Sequence, residues 1–145
     1  MTKNTKNILV FSVGLLVLTA GLIGFNMYNK GPVNVGAANA ITINPDVLYK
    51  EYITDSSTAH KKYDGKVVVL TGMVKDESQN AQKQQVIILA TTQQGGNINC
   101  TLEQPAKVTI GKPVTIKGIC SGIGEGDAEL GIAGDVYLTR SLVIN

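Results

Sequence analysis

Hydrophobic positions form one long block near the N-terminus and then, beyond residue 40, short runs separated by polar turns. The clearest short run is Lys66–Lys75, KVVVLTGMVK, introduced by the turn pair Asp64-Gly65. A period of two puts Val68, Leu70 and Val74 on one face, and Gly72 shares it. A glycine inside an apolar strand marks a bend or bulge. A first strand that bends and pairs on both edges is how a small closed barrel begins. Four further strands are predicted at Gln85–Ala90, Asn97–Leu102, Val114–Cys120 and Val136–Ile144. The first two of these read as a hairpin across Gln93–Gly96. Asp76–Lys83 reads as a polar turn, Glu103–Lys112 as a connection with a short apolar piece, and Ser121–Gly134 as a long glycine-rich loop.

Helical signals precede the strands. In Thr42–Tyr52, Asn44 suits the cap, Pro45 the first helical position, and Asp46 the positive end of the dipole. Leu48 and Tyr52 then share an edge at i,i+4. Asp55-Ser56-Ser57 interrupts the pattern and offers a cap for a second short helix through Tyr63, with Ala59 and Tyr63 inward. Tyr49, Tyr52 and Tyr63 read as packing groups with wet hydroxyls. The predicted class is mainly β: a five-stranded Greek-key barrel preceded by one or two short helices. An open five-stranded sheet with helices on one face is the alternative.

The N-terminal block, Ile8–Phe25, is 18 residues without a charge. At the helical rise it spans about 27 Å, enough for a hydrocarbon core. Lys3 and Lys6 precede it and Lys30 follows, which favours a cytoplasmic tail at 1–7, a transmembrane anchor at 8–25 and a translocated C-terminal domain. Ala38-Asn39-Ala40 has the form of a signal-peptidase site, but it lies far beyond the apolar block. Residues 26–40, with Gly31, Pro32 and Gly36, read as a flexible linker. The folded domain is expected over 41–145.

Charge sharpens this picture. Three of the 13 basic residues precede residue 41 and all 11 acidic ones follow it, so residues 41–145 carry ten against eleven, a net of −1. That lacks the electrostatic footprint of a nucleic-acid binder. There is no aromatic residue between Lys66 and Val136, and the two middle strands carry no lysine or arginine, so stacking platforms and a basic groove are both missing. No nucleophile elbow, zinc-protease motif or phosphate loop is present, so no catalytic residue and no cofactor is expected. No metal site is expected either: His60 is the only histidine and reads as solvated beside Lys61 and Lys62. Glu125, Asp127 and Glu129 read as a solvated turn rather than a calcium loop. Cys100 and Cys120 leave two readings open, a disulfide or two buried free thiols.

Ala59-x3-Tyr63-x-Gly65-Lys66 leading into the first strand, NINCTL, and GKPVTIKGICSG together resemble the tRNA_anti-like family of OB-fold domains. The resemblance runs from about Ile41 to the C-terminus. It implies an OB-like barrel behind a membrane anchor or signal sequence, commonly in bacteria, with the domain in the periplasm or outside the cell. OB barrels bind along the second and third strands and the adjoining loops. On that analogy the binding residues are expected on the hairpin, at Gln85, Ile87, Asn97 and Asn99, and on the glycine-rich segment, at Gly122, Glu125 and Asp127. The expected function is a non-catalytic binding module whose partner is a protein or a glycan of the envelope. The alternative, suggested by the family's name, is binding of single-stranded nucleic acid.

Overall fold

The computed structural model describes residues 18–23, 25, 33–93, 95–127, 129 and 134–144. The chain divides into two compact units, Met1–Val33 and Asn34–Asn145. In the first, residues 18–23 and 25 are helical, and Leu18, Leu22, Ile23 and Phe25 are exposed. The remainder of the expected anchor and the tail at 1–7 lie outside the described residues. Among the described residues no helix is long and apolar enough to cross a membrane.

The second unit runs β1 (Ile41–Thr42), α1 (Pro45–Thr54), α2 (Ser56–Tyr63), β2 (Val67–Gln79), β3 (Gln85–Ala90), β4 (Asn97–Leu102), β5 (Pro113–Ile123) and β6 (Val136–Ile144). Asn44 caps α1, its side chain accepting from the Asp46 N–H at 2.8 Å. Asp55 serves both helices. Its N–H bonds the Glu51 carbonyl to close α1, and its carboxylate accepts from the Thr58 N–H at 3.0 Å to open α2. Ile41–Thr42, which sequence reasoning placed near a helix start, instead run parallel to Val68–Val69 of β2.

The barrel closes on β2. Its first half, Val67–Met73, pairs antiparallel with β5, and its second half, Val74–Gln79, pairs antiparallel with β3. The strand order is β2-β3-β4-β6-β5, returning to β2, with β4 and β6 parallel. This is an OB-like Greek-key barrel, and the β2–β5 ladder excludes the open sheet. Gly72 sits where β2 changes partner. A Cβ there would come within 3.0 Å of Pro45 Cγ and 3.3 Å of Leu89 Cδ1, so the glycine admits α1 against the sheet. The bulge itself lies later, between Val74 and Asp76.

Three boundaries differ from the sequence reading. β2 continues past Lys75, with Asp76 opposite Ile88 and Gln79 opposite Gln85. Its polar composition suits an edge that no other described strand covers beyond Met73. β5 likewise extends to Ile123. The last part of the expected linker is folded: Val35 is 1% exposed, and the Lys117 ammonium donates to the Gly36 and Ala38 carbonyls, each at 2.8 Å.

Alternate residues of every barrel strand point into a core that the helices complete with Leu48, Tyr49, Tyr52, Ala59 and Tyr63. Ala106 and Val108 of the β4–β5 connection pack on the same core. Ser141 is the polar exception. The left-handed residue Arg140 (φ 50°) adds a kink to β6, and Ser141 is fully buried with its hydroxyl unpartnered among the described residues. It occupies the space that a Cβ on Gly118 would take. Gly118→Ala should therefore destabilise the protein by about 1–3 kcal/mol in urea unfolding. Adding Ser141→Gly should recover most of that loss; an equal loss in both backgrounds would place the crowding elsewhere.

Candidate binding face

The outer wall of the barrel is built by register. Antiparallel pairing sets Ile88 of β3 beside Asn99 of β4, and parallel pairing sets Asn99 beside Tyr137 of β6. Asp76 of β2 stands on the other side of Ile88. The result is a row of carboxylate, aliphatic, amide and aromatic groups across four strands. Tyr137 is 41% exposed, while Ile88 and Asn99 are half-buried. Gly124 makes room for the tyrosine ring: a Cβ there would lie 2.8 Å from Tyr137 Cε2.

Asn97 fixes one border of the row. Its amide donates to Asp135 Oδ1 at 3.0 Å and accepts from Lys75 Nζ at 2.8 Å. Its own backbone N–H also donates to Asp135. Helix α1 braces the same border from behind. Tyr49 donates to the Gly134 carbonyl at 2.8 Å, and its ring fills the space a Cβ on Gly96 would need. Thr92 of the β3–β4 loop donates through both its N–H and its hydroxyl to Asp46.

The residues expected to bind do not all meet. Asn97 and Asn99 lie on the wall. Ile87 does not: it faces inward at 0% exposure, because period two places it opposite Cys100 rather than Asn99. Gln85 is occupied with structure, exchanging two 2.8 Å hydrogen bonds with the backbone of Ala106 and so pinning the β4–β5 connection. Gly122 belongs to β5 and is buried. Glu125 and Asp127 are exposed on the β5–β6 loop, where Asp127 accepts from the Glu129 N–H at 3.0 Å.

Sequence reasoning missed Tyr137 and a polar cluster below the helices. Tyr137 is far from the hairpin in the chain and reaches it only through the β4–β6 parallel ladder; the Greek-key strand order was the signal that could have placed it. In the cluster, Asp64 Oδ1 accepts from the Tyr52 hydroxyl at 2.6 Å, and Asp64 Oδ2 lies 2.6 Å from His60 Nδ1. The Tyr52 oxygen is 3.2 Å from Cys120 Sγ. With the tyrosine proton committed to Asp64, the thiol is the donor in that last contact. The His60 ring stands edge-on to Tyr52 at 5.3 Å. Gly122 (φ 91°) passes so close that a Cβ would come within 3.1 Å of His60 Cε1. His60 is thus not simply solvated, although its side chain remains 42% exposed.

Burial dominates the electrostatics of this cluster. Burial pushes the Tyr52 hydroxyl far above the usual tyrosine range, and the hydrogen bond to Asp64 adds to the shift. Burial likewise raises the Cys120 thiol, against the opposing effect of its hydrogen-bond contacts with Tyr52 and the Gly122 backbone. The Cys100 thiol is raised by burial and then by Cys120. Both thiols are free. Cys100 and Cys120 each pair with Leu138 from opposite sides. Two strand spacings, about 9 Å, therefore separate their backbones, beyond the reach of about 7 Å for a disulfide. Among the described residues no group of three or more His, Cys, Asp or Glu side chains could hold a metal ion.

A family model described as tRNA_anti-like matches residues 1–129. The match takes in the N-terminal apolar block and ends before β6. No curated protein matches the chain.

Two expectations follow from the buried acids. Alkylation of the folded protein should leave both cysteines unmodified, and reduction should not change its mass. Modification of either thiol without unfolding would contradict the burial. The pH dependence has a definite sign. Unfolded thiols ionise near pH 8.5 and unfolded tyrosines near about pH 10. The folded chain holds those protons longer, on Cys100, Cys120, Tyr49, Tyr52 and Tyr63. Their contribution is fully present below the unfolded values and is lost as pH rises. Each group adds a slope of up to about 1.4 kcal/mol per pH unit. Urea unfolding across that range should show the decline, and Tyr52→Phe should flatten it above about pH 10.

Proposed function

Since the chain belongs to the tRNA_anti-like family, we propose that it is a non-catalytic binding module. Its N-terminal apolar block holds it in a bacterial cytoplasmic membrane, its barrel lies on the periplasmic or outer side, and its ligand is a protein or another envelope component. The observation that carries the reading is the row Ile88–Asn99–Tyr137. It offers an exposed aromatic ring, an amide and an aliphatic group on the wall that OB barrels use for recognition. Aromatic residues backed by apolar neighbours are the usual anchors of such contacts.

Three further observations support it. Residues 41–145 carry a net charge of −1, which suits a partner that is not a polyanion. The basic trio Lys61, Lys62 and Lys66 is weaker than its sequence suggests, because Lys62 donates to both oxygens of Glu51, at 3.0 and 2.8 Å. Finally, Leu18, Leu22, Ile23 and Phe25 are more than 60% exposed, as groups that face lipid would be. The polar chain His60–Asp64–Tyr52–Cys120 supports no catalytic role, since its two buried acids keep their protons at neutral pH.

Site-directed photocrosslinking in the full chain tests this. A photoreactive residue at Asn99 or Tyr137 should give a discrete adduct in intact cells, and one at Gln82 on the β2–β3 turn should not. Tyr137→Ala should weaken the captured partner about tenfold or more without altering urea unfolding appreciably. In fluorescence anisotropy, labelled single-stranded DNA and RNA should show no saturable binding up to about 100 μM. Salt-sensitive saturation in that range would replace this reading with nucleic-acid binding.

A further inference from the structure

A cleft of about 400 Å³ opens between the β4–β5 connection, the middle of β2, the start of β5 and the end of β6. Its volume falls within the range of small-molecule sites. Its lining includes the half-buried apolar side chains of Val108, Val114, Val143 and Ile144. Lys107, Thr109, Lys112 and Thr115 line it as well, the Thr115 hydroxyl sharing a 3.0 Å hydrogen bond with Thr71. No described lining residue is acidic. Among the described residues, neither lysine side chain has an ion pair or hydrogen bond, whereas Lys62, Lys75 and Lys117 are all engaged.

The rim is also held in place. Gly111 N–H donates to the Val74 carbonyl at 2.8 Å, Val74 N–H to the Lys112 carbonyl at 3.0 Å, and Lys112 N–H to the Thr109 carbonyl at 3.1 Å. Gly111 takes the left-handed conformation that this turn requires (φ 79°). The Gln85–Ala106 hydrogen bonds fix the other side of the connection. The two cations are thus carried on backbone that is already ordered, which lowers the entropy cost of binding.

We propose that this cleft binds a small amphiphilic anion: a phosphate or carboxylate head on a short apolar body. The lysines and threonines supply charge-assisted and neutral donors to the head, and the valines take the body. Two lysines, apolar side chains and no acidic side chain among the described lining residues give the charge and shape complementarity to that class. This site is separate from the Ile88–Asn99–Tyr137 wall, so either can fail alone.

Hexyl phosphate is the probe, with the full chain in uncharged detergent and amide NMR as the readout. Saturable shifts should appear at Thr109, Gly111, Lys112 and Thr115, while Asn99 and Tyr137 stay still. Inorganic phosphate should bind about tenfold more weakly or worse, for loss of roughly two buried methylenes. Lys107→Glu/Lys112→Glu should weaken hexyl phosphate by about tenfold or more. Unchanged wall resonances in that variant show that it is folded. Competition by dihexanoyl phosphatidic acid would assign the source to a lipid head group, and competition by hexanoate alone to a free organic acid. The proposal is overturned if the four amides do not respond, if hexyltrimethylammonium shifts them equally, or if the folded double variant binds as well as the parent.

Discussion

The two-sided pairing of β2 is the constraint on which the rest depends. One strand supplies the ladder to β5 through Val67–Met73 and the ladder to β3 through Val74–Gln79. A closed barrel of five strands needs such a strand, because its seam must cross from one neighbour to the other without leaving an open edge. The change of partner comes just after Gly72, where the missing side chain lets Pro45 and Leu89 approach. Helix α1 is therefore seated at the seam itself. From there Tyr49 reaches the Gly134 carbonyl and Asp46 reaches Thr92, so the helix sets the loops that border the wall.

Local rules made most of this fold legible. Asn44 and Pro45 mark the start of α1, and the alternation of Val68, Leu70, Ile98, Cys100 and Ile116 gives the inward face. What local rules could not supply was partner choice. Asp76–Gln79 is polar enough to read as a turn, yet it is a strand because β3 offers a ladder, and no other described strand pairs with its far edge. Asn34–Ala40 has a linker's composition, yet Lys117, more than 75 residues away, ties down two of its carbonyls. Propensity describes a segment in isolation, and both segments are decided by contacts distant in sequence.

The candidate wall divides along the same line. The hairpin alone suffices to put Asn97 and Asn99 on one strand face, since pairing within a hairpin is local. Ile87 was misplaced by reading the hairpin as a surface without applying its own alternation, which turns that residue into the core. Tyr137 was invisible because its neighbour Asn99 is reached by a parallel ladder between strands that are not consecutive. The aromatic group missing from the middle strands is supplied by the last strand. Aromatic groups absent from the middle strands in sequence can thus stand beside them in space.

Below α1 and α2, the Tyr52–Asp64–His60–Cys120 chain links the helices to the barrel. A thiolate nucleophile has its acid form destabilised near neutral pH. Here burial acts the other way on both Tyr52 and Cys120, holding their protons on. What the chain accomplishes is attachment. Tyr52 comes from α1, His60 from α2, Asp64 from the turn after it, and Cys120 from β5. The bonds join three elements at one point, with every buried polar atom in the chain given a partner. An unsatisfied hydroxyl at Tyr52 would cost on the order of 1–3 kcal/mol, so the network fixes the helices on the barrel in one arrangement. That arrangement places Tyr49 behind the loops. The polar chain thus bears on the candidate wall indirectly, through the position of a helix and not through a proton.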